Sequence, residues 1–239
     1  MTAPTMLRFR FLKNPTAFSR GYDLSPLRGL GVAILEKIVI IGGNAAGLTA
    51  ATRAKRIDPR LRITVLEQGP HISYSTCGIP YFLSKMVTAE DLISYTPESF
   101  ETERGIEAHL HTRVDAITPS RKRVSCTRTD TGEQMEFSYD RLLVATGVKP
   151  KLPQIPGTNL ENVFTLTNLQ DALRINDALP HAQRVSIIGA GYVGLEMTEC
   201  LHALGKQVHI YERELHGILD CIDLRSHFDV SAISSFSTE

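Results

Sequence analysis

Val185-Ser-Ile-Ile-Gly189-Ala-Gly191-Tyr-Val-Gly194 decides the fold. An apolar strand runs straight into a G-x-G-x-x-G turn, and the turn opens a helix that reaches Leu204. Gly189 permits the tight turn, Gly191 lets backbone approach a pyrophosphate, and Gly194 lets helix and strand pack closely. Unpaired N–H groups at the helix start, through Ala190, Tyr192 and Val193, suit an anion. A second strand follows over Gln207 to Tyr211, and Glu212 stands at its end. A carboxylate there accepts from an adenosine ribose hydroxyl and repels a 2′-phosphate, which favours NADH over NADPH. The neighbouring Arg213 acts in the opposite direction.

The same unit occurs earlier in the chain. Lys37-Ile-Val-Ile-Ile41 is an apolar run, Gly42-Gly43-Asn44-Ala45-Ala46-Gly47 is the turn, and an Ala-rich helix extends to about Ile57. Leu61 to Leu66 reads as the next strand, with Glu67 at its end. Asn44 occupies the place of the second fingerprint glycine, so this turn is imperfect; an ordinary strand-turn-helix is the plainer alternative. Two dinucleotide turns in one chain imply electrons moving between two nucleotides, a nicotinamide and a flavin.

Between the units, residues 70 to 105 read as helical and loop-like, punctuated by Pro80 and Pro97. Short strands are expected over His109 to Ile117, Arg123 to Thr129 and Gln134 to Tyr139, then a buried strand over Leu142 to Ala145. Pro150, Pro153 and Pro156 mark a connector between domains. His109 and His111 could share one strand face at a metal-like spacing, but no further ligand cluster accompanies them and no metal is expected.

The 239 residues are 42% hydrophobic and 22% charged, enough for a substantial core. Lys plus Arg number 26 and Asp plus Glu number 26, a balance that argues against a dedicated nucleic-acid binder or a polybasic membrane-surface protein. No apolar run reaches the ~18–20 residues of a membrane span. Four scattered cysteines (Cys77, Cys126, Cys200, Cys221) suit a reducing cytoplasm better than a disulfide scaffold. Residues 1–36 are Arg-rich and interrupted by proline, which fits an unstructured extension or an organelle transit peptide. Residues 215–239 lose all periodicity and end in a Ser-rich stretch.

Ser73-Tyr-Ser-Thr-Cys77-Gly-Ile-Pro80-Tyr81 carries the chemistry. Cys77 immediately precedes a helix start with Pro80 in its first turn, where the positive helix end favours thiolate. No second cysteine follows within five residues, so an adjacent dithiol pair is excluded. Cys77 would cycle alone, as a mixed disulfide with a small thiol or as a sulfenic acid. A buried packing role is the commonest fate of a free cysteine, and it is the expectation for Cys126 and Cys200.

Together with the two glycine turns, this stretch, Tyr95-Thr-Pro-Glu-Ser-Phe100 and Tyr139-Asp-Arg-Leu-Leu-Val-Ala145-Thr146-Gly147 resemble the flavin-dependent pyridine nucleotide–disulfide oxidoreductases. The branch is the one holding coenzyme A disulfide reductases and single-cysteine NADH oxidases. The resemblance implies an α/β class fold of two Rossmann-like (three-layer ββα) dinucleotide-binding domains, the second incomplete. Residues 37–149 would be the N-terminal part of the FAD-binding domain and 150–214 a partial NAD(P)H-binding domain. Ala145, Thr146 and Gly147 would close on FAD. The implied activity passes electrons from NAD(P)H, through flavin, to Cys77 and then to a small disulfide such as coenzyme A disulfide. The matching substrate positions would be Thr49, Arg53, Arg56, Ser73, Thr76 and Arg104; two solvated arginines on a helix face are the plainer reading of Arg53 and Arg56. Ala45 stands where peroxidases of the family carry a histidine, which lowers that option and leaves an oxidase open. Family members are homodimers, and the resemblance covers about their first half. The dimerisation domain and a second flavin-contacting segment are not found in this sequence, so the chain is expected to be C-terminally truncated. An inactive nucleotide-binding fragment is therefore the non-enzymatic alternative.

Overall fold

The computed structural model describes residues 36–212. The extension over 1–36 and the tail over 215–239 therefore fall outside it, Glu36 excepted, as do Arg213 and Cys221. In chain order the elements are β1 (Lys37–Ile41), α1 (Ala45–Ile57), β2 (Arg62–Leu66), α2 (Ile79–Leu83), α3 (Pro97–Arg104), β3 (Glu107–His109), β4 (Thr112–Thr118), β5 (Arg123–Arg128), β6 (Gln134–Ser138), β7 (Arg141–Val144), α4 (Leu169–Ala178), β8 (Arg184–Ile188), α5 (Tyr192–Ala203) and β9 (Gln207–Tyr211).

A parallel sheet of order β3-β2-β1-β7 forms the middle layer of the first unit. Alternation along β1 and β2 assigns its two faces. Ile40, Ile63 and Val65 pack on one side with Leu48 and Ala51 of α1 and Phe100 of α3. Val39, Ile41 and Leu66 pack on the other with Val124 and Cys126 of the antiparallel sheet β4-β5-β6. The result is the expected ββα stack. Full burial of side chains such as Ile40 and Leu66 stabilises it by roughly 2–3 kcal/mol each.

One strand expected from the sequence is two. The run from His109 to Ile117 breaks at Leu110–His111, where His111 adopts φ +51° and the chain passes from the parallel sheet to the antiparallel one. His109 and His111 thus share no strand face; His109 instead contacts Glu107 and the Phe137 ring edge. Among the described residues no group of three His, Cys, Asp or Glu side chains lies close enough to hold a metal.

The second unit pairs β8 with β9 in parallel. α4, which the sequence reading passed over, begins at an Asn168 cap whose side chain accepts from the Asp171 N–H at 2.9 Å. A third apolar cluster joins the two units: Ile79, Phe82 and Leu83 of α2 bury against Leu169 and Ala172 of α4 and Met197 and Leu201 of α5. The helix that follows Cys77 therefore packs directly on the helix that the second glycine turn opens. Among the described residues no helix is long and apolar enough to cross a membrane.

Candidate active site

The two glycine turns are structurally equivalent. Gly42 and Gly189 lie at φ +113° and +104°, a region open to glycine. Their N–H groups donate to Leu66 O and Tyr211 O, each at 2.8 Å. Gly47 and Gly194 sit where an added Cβ would stand far inside contact with the carbonyl oxygens of Gly42 and Gly189. The carboxylates also correspond. Glu67 accepts from the Gly43 N–H at 2.8 Å, and Glu212 accepts from the Ala190 N–H at 2.8 Å. Glu67 takes a further N–H from Gly69. Each acid thus props its own turn.

Those turns fit dinucleotides. Ala45, Ala46, Tyr192 and Val193 are exposed at the starts of α1 and α5, where a helix leaves its first N–H groups without intrahelical acceptors and suited to an anion. No atom lies within 4 Å of a Cβ placed on Gly191, so no protein contact requires glycine there. Ala145 closes the first turn: its N–H donates to Ile41 O at 2.8 Å, and its carbonyl lies against Gly42. Thr146 and Gly147 follow it on the exposed side.

The cysteine segment sits directly on the first turn. Ser73 donates its N–H to Gly43 O at 3.0 Å, and Tyr74 bridges to Ile93. Thr76–Gly78 form one turn of 3-10 helix, capped by the Ser75 side chain. Cys77 is exposed on that turn, whereas Cys126 and Cys200 are buried. Burial, with Asp115 nearby, pushes the Cys126 thiol up to about 11. A thiol reagent applied to the native chain should therefore label Cys77 and spare Cys126 and Cys200, as peptide mass spectrometry would show. Labelling of Cys126 at a comparable rate would contradict the burial order.

The expected substrate residues divide. Ser73 and Thr76 lie with Cys77 on the glycine turn. Thr49, Arg53 and Arg56 line one exposed face of α1 at helical spacing. Arg104 closes α3 and is held by Tyr95, which accepts its N–H at 2.5 Å and offers its ring face at 5.4 Å. Among the described residues no hydrogen bond or ion pair joins the three arginines to the cysteine turn. Two tyrosines were not singled out from sequence. Tyr95 orients Arg104. Tyr74 is half-buried, packed against the cluster that joins α2 to α4 and α5; burial first, and then the Glu67 charge, push its phenol up.

The family model for pyridine nucleotide-disulphide oxidoreductases matches residues 36–221. The chain is 38% identical over 186 residues to the NAD(P)H coenzyme A polysulfide/persulfide reductase of Pyrococcus horikoshii, covering 77% of this chain and 41% of that protein. It is 34% identical over 190 residues to a coenzyme A disulfide reductase of Staphylococcus aureus, with 77% and 40% covered. Among solved structures, the water-forming NADH oxidase of Lactobacillus brevis bound to NADH superposes with a TM-score of 0.73 at 28% identity, over 80% of this chain and 45% of that one. The chain spans about two fifths of the length of these curated relatives.

Proposed function

Because the chain belongs to the pyridine nucleotide-disulphide oxidoreductase family, we propose that it is the nucleotide- and cysteine-bearing part of an FAD-dependent NAD(P)H:disulfide oxidoreductase, with Cys77 as the redox centre. The observation that carries the reading is the placement of an exposed cysteine on the turn that packs against Gly43, beside the flavin-type glycine turn. Residues 37–149 serve as the flavin-side domain and 150–214 as the nicotinamide side.

Gly42, Gly43, Asn44 and Gly47, with Glu67 and the Ala145–Gly147 segment, would hold FAD. Gly189, Gly191 and Gly194, with Glu212, would hold the nicotinamide dinucleotide. Bound flavin supplies a relay that accepts the nicotinamide's electron pair and passes it on to sulfur. The Cys77 thiolate attacks one sulfur of a small disulfide. A Cys77–substrate S–S bond forms, the substrate S–S bond breaks, and the departing thiolate takes a proton. Two electrons and a proton then release the second thiol and return Cys77 to thiolate. The balance is NAD(P)H, a proton and one disulfide giving NAD(P)+ and two thiols. The exposed face of Thr49, Arg53 and Arg56, with Arg104, suits the anionic coenzyme A moiety, since arginine guanidinium groups pair with phosphate. Glu212 favours NADH.

A second reading, NADH oxidation by oxygen through a Cys77 sulfenic acid, draws support from the likeness to the Lactobacillus brevis oxidase. Anaerobic NADH consumption that depends on coenzyme A disulfide is the result expected for the first reading. Consumption that requires oxygen and ignores the disulfide would overturn it in favour of the second.

A further inference from the structure

We propose that Asn44 is a positioning residue whose side-chain amide fastens the turn carrying Cys77 to the first glycine turn; its catalytic meaning rests on the Cys77 reading, its geometry does not. Asn44 stands where the fingerprint has glycine, and its backbone gives no reason for either residue. At φ −122° and ψ −154° it is extended, a conformation any residue adopts. Asparagine at a helix N-cap ordinarily turns its side-chain oxygen onto the N–H groups of the first turn. Here it makes no such bond. Its Nδ2 instead donates to Thr76 Oγ1 at 3.3 Å, across 32 residues of sequence.

The backbone completes the grip. Gly43 O accepts from Ser73 N–H, so consecutive residues 43 and 44 hold both ends of the segment 73–76. The middle of the segment is paired with residues 92–94, Ser75 N–H donating to Leu92 O at 2.9 Å and Ser94 N–H to Ser73 O at 2.8 Å; the cysteine turn itself is held locally by Ser75, which accepts the Gly78 N–H through its Oγ at 3.1 Å and its carbonyl at 3.2 Å. A single 3-10 turn is a weak element, and Cys77 follows Thr76 directly. The equivalent position in the second unit is Gly191, and nothing lies within 4 Å of a Cβ there. The asparagine thus occurs at the one of these two turns that has a cysteine segment to hold.

The test is amide hydrogen exchange of the full chain, read in the peptide covering residues 73–80. N44G and T76V should each speed exchange there by about fivefold, the loss of one hydrogen bond. The double variant should exchange no faster than the faster single one, T76S should match the parent, and the 45–57 peptide of α1 should be unchanged. Parent-rate exchange in N44G, additive effects in the double variant, or acceleration spread through α1 would overturn the proposal. This cycle needs no turnover, whereas the Cys77 reading is judged by turnover alone, so either can fail without the other.

Discussion

Replacing Cys77 with serine is expected to abolish disulfide-dependent NADH oxidation, a loss on the order of 10³-fold or more. The reason is chemical. Thiol–disulfide exchange needs a sulfur nucleophile that can form and later lose an S–S bond, and a hydroxyl can do neither. The substitution removes little else, because Cys77 is exposed on its turn and the turn's cap is the Ser75 side chain. Thermal stability and bound flavin should therefore match the parent. Anaerobic NADH consumption with coenzyme A disulfide, on protein of matched flavin content, measures the effect. Retention of disulfide-dependent turnover would remove Cys77 from the chemistry.

Gly47→Ala has the second large effect, and its sign runs against helix propensity. In an ordinary helix interior, alanine for glycine gains roughly 0.5–1 kcal/mol. At position 47 the new Cβ collides with the Gly42 carbonyl and crowds Ile40 at 3.2 Å. One obstacle is backbone of the turn and the other a buried side chain of β1, so relief requires moving the turn off the strand. We expect a net loss of about 2 kcal/mol, a fall in Tm of roughly 5 °C, and reduced flavin content. Gly194→Ala meets Gly189 in the same way and should weaken nicotinamide dinucleotide binding. Gly191→Ala meets no protein atom, so it should keep the parent Tm while still weakening the nucleotide. Thermal melts with flavin absorbance and calorimetric NADH titration separate the three; a Gly47→Ala chain as stable and as yellow as the parent would contradict the packing argument.

What the sequence made legible is local. Glycine spacing, apolar runs and the acids Glu67 and Glu212 each sit within one strand-turn-helix-strand unit, and the structure places them at equivalent points. The ββα layering was expected from the family resemblance, and in the structure the apolar run of β1 serves two buried faces. The break at His111 was hidden because neither Leu110 nor Thr112 beside it is a turn residue, while the sheet change is a tertiary event. α4 did carry a signal, an Asn168-x-x-Asp171 start ahead of spaced apolar residues, but it followed a Pro-rich stretch that read as linker. The partners of the site were the least legible. Asn44 and Thr76 are 32 residues apart, and the cluster joining α2 to α4 and α5 brings together residues from both units. Arg53 and Arg56 lie on one exposed face of α1, and their use depends on a substrate rather than on any contact within the described residues.

The most direct measurement is a visible absorption spectrum of the size-fractionated chain, followed by anaerobic addition of NADH and then coenzyme A disulfide. The expected result is flavin absorption co-eluting with a discrete species, bleached by NADH and restored by the disulfide. A colourless chain, or a flavin that NADH leaves oxidised, would contradict it.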